Sequence, residues 1–142
     1  GILWHVNPAR LRGICIDAGG TPDLVPALAL TATAAEGETR IFGAARLRYK
    51  ESDRIETMRE ELAAFGAEFD AEEDRVTIRC ARFHAPRRVL SGHNDHRVVM
   101  ALSVLCTVCG GEIEGAEAVA KSMPDFFEKL RALGGKADEI DS

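Results

Sequence analysis

The chain is 142 residues long, which is enough for one compact domain with a real hydrophobic core. Its formal net charge of −5 argues against a nucleic-acid-binding protein, because such proteins usually carry a basic surface. No apolar run reaches the length that a membrane-spanning helix needs, so we expect no membrane segment. The amino terminus has neither a signal-peptide pattern nor an initiator methionine, which indicates a fragment or a processed form.

The four cysteines, Cys15, Cys80, Cys106 and Cys109, predict reduced and buried thiols rather than a zinc site. Cys106 and Cys109 form a CxxC pair, but the pair lies in an apolar helical run, and the chain offers no second pair with the usual ligand spacing. Reduced thiols are typical of cytoplasmic proteins. We therefore expect a cytoplasmic location and no metal.

In chain order, a first unit of roughly residues 13–83 alternates strands and helices. Asp23 precedes an apolar run over residues 24–35, which predicts a helix with Pro26 in its first turn, where proline is tolerated. Residues 52–65 form an amphipathic helical pattern that ends before Gly66, the usual residue type after a helix end. Alternating or short apolar runs predict strands at residues 14–17, 37–41, 67–69 and 74–80.

A second unit of roughly residues 84–142 repeats this order. Asp95 precedes an apolar helical run over residues 98–108, and a second helix is predicted over residues 123–133. The same spacing separates Asp23 from Gly43 and Asp95 from Gly115. Predicted strands fall at residues 87–90, 111–113 and 136–138.

The first helix of each unit is hydrophobic nearly all round, which is typical of helices that are buried on most sides. The distance from Asp23 to Asp95 is longer than a solenoid repeat, which favours duplicated subdomains. We therefore predict an α/β (α+β) fold of repeated βαβαββ units, in which central helices are covered by sheets.

The first charged run is Lys50-Glu51-Ser52-Asp53-Arg54, at the start of the second predicted helix. Lys50 and Arg54 would share one helical face if the helix began this early, and such a pair of cations would bind a phosphate or carboxylate. Glu51 could hold a proton for transfer, because neighbouring charge shifts the pKa of a carboxyl group. The alternative is a solvated helix start that is capped by Ser52.

The second charged run is Asn94-Asp95-His96-Arg97, at the start of the third predicted helix. Its asparagine suits the N-cap and its aspartate suits the first turn. His96 would transfer protons near neutral pH, and Arg97 offers a planar fork for carboxylate or phosphate oxygens. The alternatives are a capped helix with an incidental histidine, and a metal site formed by His93, Asp95 and His96.

Asp23 and Lys121 are less distinctive when taken alone. Asp23 stands at the helix start of the first unit that corresponds to Asp95, where an acid is also an ordinary partner of the helix dipole. Lys121 has no special neighbour beyond a predicted helix start, and a lone lysine is usually a surface residue.

Taken together, these runs resemble the 5-enolpyruvylshikimate-3-phosphate synthase (3-phosphoshikimate 1-carboxyvinyltransferase) family. The matching stretches are residues 16–18 with 22–26, 48–55, 94–97 and 120–127. Their order and spacing match over nearly the whole chain, and the combination of a KESDR run with an NDHR run is specific. The resemblance implies the enolpyruvyl-transferase fold, which is built from the repeat described above.

The resemblance also implies a reaction, in which an enolpyruvyl group passes from phosphoenolpyruvate to the 5-hydroxyl of shikimate 3-phosphate. A tetrahedral intermediate forms, phosphate is released, and no metal or organic cofactor is implied. Asp23 would be the general base, and Glu51 would donate or shuttle a proton at the methylene carbon. The implied substrate-binding residues are Lys50 beside the shikimate hydroxyl, Arg54 and Arg97 on the phosphoenolpyruvate carboxylate, and His96 and Lys121 in the same pocket, with Lys121 near the phosphate.

The family enzyme is much longer than this chain. By resemblance, the chain corresponds to the last two units of a carboxy-terminal domain, and it needs the amino-terminal part to complete the active site. Two other interpretations stay open at this point. One is a fragment of the sister family that transfers enolpyruvyl to UDP-N-acetylglucosamine, which the two charged runs disfavour. The other is a non-catalytic, anion-binding module of the same fold.

Overall fold

The computed structural model describes residues 1–140. The first unit contains a four-stranded sheet with the strand order β1-β2-β4-β3, in which β1 runs parallel to β2 and β4 runs antiparallel to both β2 and β3. Two helices accompany this sheet. The elements of this unit are β1 (Cys15–Asp17), α1 (Val25–Thr33), β2 (Glu38–Phe42), α2 (Arg54–Ala63), β3 (Ala67–Ala71) and β4 (Arg75–Cys80).

The four-stranded sheet buries one face, as the period-two pattern of its residues predicts. Ile41 pairs with Val76 and Phe69 pairs with Ile78, and all four side chains are buried in the core. The opposite face carries exposed charged residues, including Arg79, whose guanidinium pairs with carboxylates of the neighbouring strands. α1 and α2 therefore pack on the buried face of the sheet.

The second unit begins in the same order, with β5 (Leu90–Ser91), α3 (His96–Cys109), β6 (Ile113–Glu114) and α4 (Phe126–Ala132). β5 and β6 are parallel, as β1 and β2 are. A 3-10 turn follows the second strand of each pair, at Ala45–Tyr49 and at Ala116–Lys121. The element order of the first unit thus recurs in the second, as predicted for an α/β fold of repeated units.

One predicted strand is wrong, because residues 136–138 form no strand. A strand needs a hydrogen-bonded neighbour, and each strand of the β5–β6 sheet pairs over two residues only. The chain instead turns back after α4, where the amide of Gly135 donates to the carbonyl of Leu130 and Arg131 donates to the carbonyl of Ala137. Up to residue 140, the second unit therefore shows the order βαβα, without the two further strands of the first unit.

α1 and α2 form a layer between the four-stranded sheet and α3. α1 packs on β4 and on α3, while α2 packs on β3, on α1 and on α3. The shared core includes Leu62, Phe65 and Leu102. The prediction of helices buried on most sides holds for α1 and for the first half of α3, but not for the end of α3, where Val104 and Val108 are exposed.

All four cysteines are free thiols, as predicted, but Cys15 is exposed and the other three are only half-buried. Cys15 differs because β1 lies at the edge of the sheet. Burial, together with the nearby Cys109, raises the pKa of Cys106 to about 11, so this thiol stays protonated at neutral pH. Within residues 1–140, none of the helices has the length and apolar character that crossing a membrane requires.

Candidate functional site

The starts of α1, α2 and α3 meet at one corner of the fold. Asp23 lies in a 3-10 turn, Pro22–Leu24, directly before α1. Arg54 is the first residue of α2, and Asp95 is the N-cap of α3. Residues from both predicted units therefore share this corner, which places one buried ion pair and several partly exposed ions together.

Arg54 is the centre of this corner, with a side chain that is only 1% exposed. Its guanidinium binds Asp95 in a bidentate manner, with Nε 2.8 Å from Oδ2 and Nη2 3.2 Å from Oδ1. Nη1 donates to Oδ1 of Asp23 at 2.9 Å, and Nη2 also donates to Oε2 of Glu51 at 2.7 Å. We call Arg54, Asp95, Asp23 and Glu51 the Arg54 cluster.

Asp95 is fully buried and accepts two further hydrogen bonds. The hydroxyl of Ser52 donates to Oδ2 at 3.0 Å, and the amide of Arg97 donates to Oδ1 at 3.0 Å. Burial on its own would raise the pKa of Asp95, but Arg54 and these donors hold it below the ordinary aspartate value. Asp95 is therefore an ionised cap that joins α3 to α2.

This arrangement corrects the predicted cap, which was Asn94. Asn94 instead has a left-handed backbone with φ of 54°, and its side chain is exposed. Both residue types make good N-caps, so local propensity could not choose between them. The choice follows from Arg54, because the aspartate supplies the negative charge that the buried guanidinium requires.

The start of α2 also differs from the prediction. Asp53, not Ser52, is the N-cap, and its carboxylate accepts from the amide of Glu56 at 3.1 Å. Because the helix begins only at Arg54, Lys50 and Arg54 do not share a helical face. They converge on Asp23 instead, where Lys50 Nζ lies 3.3 Å from Oδ1.

Asp23 lies among three cations and has a side chain that is 47% exposed. Arg54 and Lys50 contact Oδ1, while Nη2 of Arg97 lies 3.6 Å from Oδ2. Burial works to raise its pKa, but Lys50, Arg97 and Arg54 outweigh that effect and lower the pKa from its ordinary value. Asp23 is thus an ionised acceptor at neutral pH, and it is open to solvent on one side.

The remaining predicted residues lie next to this cluster. His96 is the first residue of α3, is buried, and leaves Nδ1 without a hydrogen-bond partner. Lys121 ends the 3-10 turn of the second unit and donates through Nζ to the carbonyl of Asn94. Direct ion pairs connect five of the predicted residues, Asp23, Lys50, Glu51, Arg54 and Arg97. The other two are connected only through the backbone of residues 94–97, to which His96 belongs and to which Lys121 donates its hydrogen bond.

Sequence reasoning missed Glu61, a fully buried acid on α2. Glu61 lies seven residues after Arg54, which places both on one helical face with Ile55, Met58 and Leu62. The helical period could therefore have identified it. Its carboxylate contacts His93 at 2.8 Å and Arg88 at 3.0 Å.

Within the described chain, Glu60, Glu61 and His93 are close enough together to hold a metal ion. Arg88 already neutralises Glu61, so this group has little excess negative charge for a cation. The metal site considered from the sequence, His93 with Asp95 and His96, is disfavoured because Arg54, Ser52 and the Arg97 amide already occupy the Asp95 oxygens.

Comparison with known proteins identifies the family. The family model described as EPSP synthase (3-phosphoshikimate 1-carboxyvinyltransferase) matches residues 3–130. The chain belongs to the EPSP synthase family. The 3-phosphoshikimate 1-carboxyvinyltransferase of Clostridium kluyveri is 44% identical, over 95% of this chain and 32% of the relative. That of Methanosarcina mazei is 42% identical, over 99% and 32%.

Solved structures agree with this family assignment. The EPSP synthase of Acinetobacter baumannii superimposes with a TM-score of 0.82 and 33% identity, over 94% of this chain and 32% of that one. The enolpyruvyl transferase NikO of Streptomyces tendae, at 24% identity and a TM-score of 0.71, shares the fold. The chain spans about a third of the length of the curated EPSP synthases that it matches.

Proposed function

We propose that this chain is the carboxy-terminal part of an EPSP synthase and contributes one wall of its active site. The enzyme would transfer the enolpyruvyl group of phosphoenolpyruvate to the 5-hydroxyl of shikimate 3-phosphate, a step of the shikimate pathway to aromatic amino acids. The units would be residues 13–83 and 84–142. The observation that carries the proposal is the Arg54 cluster, which brings the KESDR and NDHR runs together with Asp23.

The cluster suits two polyanionic substrates, because cations surround carboxylates that can move protons. Arg97 and Lys50 are partly exposed, and each has donors left for a ligand beyond its contact with Asp23. Arg97 would bind the phosphoenolpyruvate carboxylate, with His96 and Lys121 in the same pocket. Four of the five N–H groups of Arg54 already bind carboxylates, so Arg54 would also hold Asp23 and Glu51 in place.

Asp23 and Glu51 would divide the proton transfers. The 5-hydroxyl adds to C2 of phosphoenolpyruvate as its proton passes to Asp23, and Glu51 delivers a proton to C3. The tetrahedral intermediate then loses a proton from C3 and releases phosphate. Surrounding cations lower the pKa of Asp23, which keeps it ionised to accept the hydroxyl proton while reducing its basicity.

A chimera tests the proposal in a complete enzyme. This chain replaces the matching third of the Clostridium kluyveri enzyme, and phosphate release is measured with both substrates. We expect turnover from the chimera and none from the isolated chain, because one wall cannot close a site around two substrates. Lys50→Met and Glu51→Gln should abolish turnover, while Arg40→Gln on the outer face of β2 should not. A folded chimera without activity, or turnover by the isolated chain, would contradict the proposal.

A further inference from the structure

Glu61 is a buried acid that the proposed reaction does not use. Its side chain is fully buried, and both carboxylate oxygens have partners. Oε1 accepts from Nε2 of His93 at 2.8 Å, while Oε2 accepts from Arg88 Nη1 at 3.0 Å and from the Ser91 amide at 3.2 Å. A buried carboxylate is costly unless it is satisfied in this way. We call Glu61, His93, Arg88 and Ser91 the Glu61 cluster.

All three partners of Glu61 lie in residues 88–93, which lead directly into the NDHR run. Arg88 also donates to the carbonyl of Glu60 at 3.1 Å, and the hydroxyl of Ser91 accepts from the His93 amide at 3.3 Å. Hydrogen bonds from both side chains and backbone of residues 88–93 therefore hold this segment against α2. Its path into α3 is set by a helix that belongs to the other predicted unit.

The segment ends in two consecutive left-handed residues, His93 at φ 49° and Asn94 at φ 54°. Non-glycine residues adopt this conformation at an energetic cost, and they keep it only where their surroundings fix it. The hydrogen bond between His93 and Glu61 holds the first of these residues in place. The hydrogen bond from Lys121 to the Asn94 carbonyl holds the second.

We propose that Glu61 and His93 are positioning residues for the site. By holding the 93–94 backbone in its left-handed path, they direct Asp95 towards Arg54 and place His96 and Arg97 at the substrate. Neither residue touches the substrate. This assignment rests on the proposed function only in that the NDHR run is taken as the phosphoenolpyruvate end of the site.

Amide hydrogen exchange, followed by NMR in the isolated chain, tests this role without any ligand. His93→Asn keeps a residue type that tolerates left-handed backbone, but its shorter side chain does not reach Glu61. Exchange of the Asp95 and Arg97 amides should rise by roughly tenfold, because local opening of this segment no longer has to break the hydrogen bond between His93 and Glu61. The amides of Ile41 and Ile78 in the four-stranded sheet should exchange as in the wild type.

The conservative variant His93→Gln, which restores a side-chain N–H donor, should recover much of the protection, and Glu61→Leu should reproduce the loss. Glu56→Gln, on the exposed face of α2, is the matched control and should change nothing. A uniform rise of exchange over the whole chain would show a merely stabilising contact and would overturn the proposal. Unchanged exchange at Asp95 and Arg97 in both His93→Asn and Glu61→Leu would overturn it as well.

The chimera adds a catalytic readout that separates this inference from the proposed function. His93→Asn should raise KM for phosphoenolpyruvate by roughly tenfold and leave KM for shikimate 3-phosphate nearly unchanged, since small displacements of a binding group have large effects. If the parent chimera is inactive, the proposed function fails while the exchange result still stands. If the parent chimera is active and both KM values are unchanged, the positioning role fails alone.

Discussion

Arg54 and Glu61 lie two turns apart on one face of α2, and both are buried ions that bind the segment around the start of α3. They differ in the chemistry of their partners. Arg54 binds two carboxylates that are each more than 40% exposed, those of Asp23 and Glu51, whereas Glu61 binds the exposed guanidinium of Arg88 and the half-buried imidazole of His93. The Arg54 cluster therefore has exposed carboxylates, which the proposed proton transfers require, whereas the carboxylate of the Glu61 cluster is fully buried, in keeping with its proposed role in holding the backbone.

The largest expected effect comes from removing the buried partner of Arg54. Asp95→Ala should lower the free energy of unfolding by about 3–5 kcal/mol, because it leaves a buried guanidinium without its main counter-ion. Urea denaturation measures this loss. Asp53→Ala is the matched control, since it removes the cap of α2 without touching the buried pair and should cost about 1 kcal/mol. Equal losses would mean that Asp95 is only a cap.

Lowering the pH should reduce the free energy of unfolding by protonating Asp95 in the Arg54 cluster. The folded-state pKa of Asp95 lies below its unfolded value, so its stabilisation is fully present above the unfolded pKa of about 3.9 and is lost as pH falls through the folded pKa. The free energy of unfolding should therefore decline steeply below about pH 4. In Asp95→Asn the decline should be shallower by up to about 1.4 kcal/mol per pH unit, which is the most that one proton contributes.

Denaturation at a series of pH values measures both slopes. Asp125→Asn serves as the control, because the pKa of Asp125 is also lowered, by an ion pair with Lys129, but this pair lies on the exposed surface. Its effect on the slope should be much smaller, since solvent screens the pair. Parallel slopes for wild type and Asp95→Asn would contradict the role of Asp95.

The smallest effect on stability is expected at Arg97, which contacts the exposed carboxylate of Asp23 beside the Arg54 cluster. Its guanidinium is partly exposed, with Nη2 3.6 Å from the Asp23 carboxylate and Nη1 donating to the Asp23 carbonyl at 3.3 Å. Arg97→Ala should therefore change the free energy of unfolding by less than about 1 kcal/mol. In the chimera, calorimetric titration should show that affinity for phosphoenolpyruvate falls more than affinity for shikimate 3-phosphate. A matched loss for both substrates would reject the assigned contact.

Much of this architecture follows from sequence. The period of apolar residues locates α1, α2 and α3. The equal spacings from Asp23 to Gly43 and from Asp95 to Gly115 indicate the related order of the two units. The two charged runs identify the corner at which α2 and α3 begin side by side. These features are local or periodic, and elementary propensities are sufficient to predict them.

The pairings within the site could not be predicted in the same way. That Arg54 turns inward to Asp95, and that Asp95 rather than Asn94 caps α3, depends on contacts between residues 41 positions apart. The missing strand at residues 136–138 has a similar cause, since a strand exists only with a neighbour to pair with. Tertiary contacts decide all three outcomes.

The bond between Arg54 and Asp95 also constrains how such a chain can evolve. It joins one residue from each unit, so a recombination breakpoint between positions 54 and 95 would bring together halves with separate histories. A mismatched half would bury an uncompensated charge at a cost of several kcal/mol, which is comparable to the whole stability of a small domain. Crossovers within this interval should therefore be viable only where one half supplies the arginine and the other supplies the aspartate.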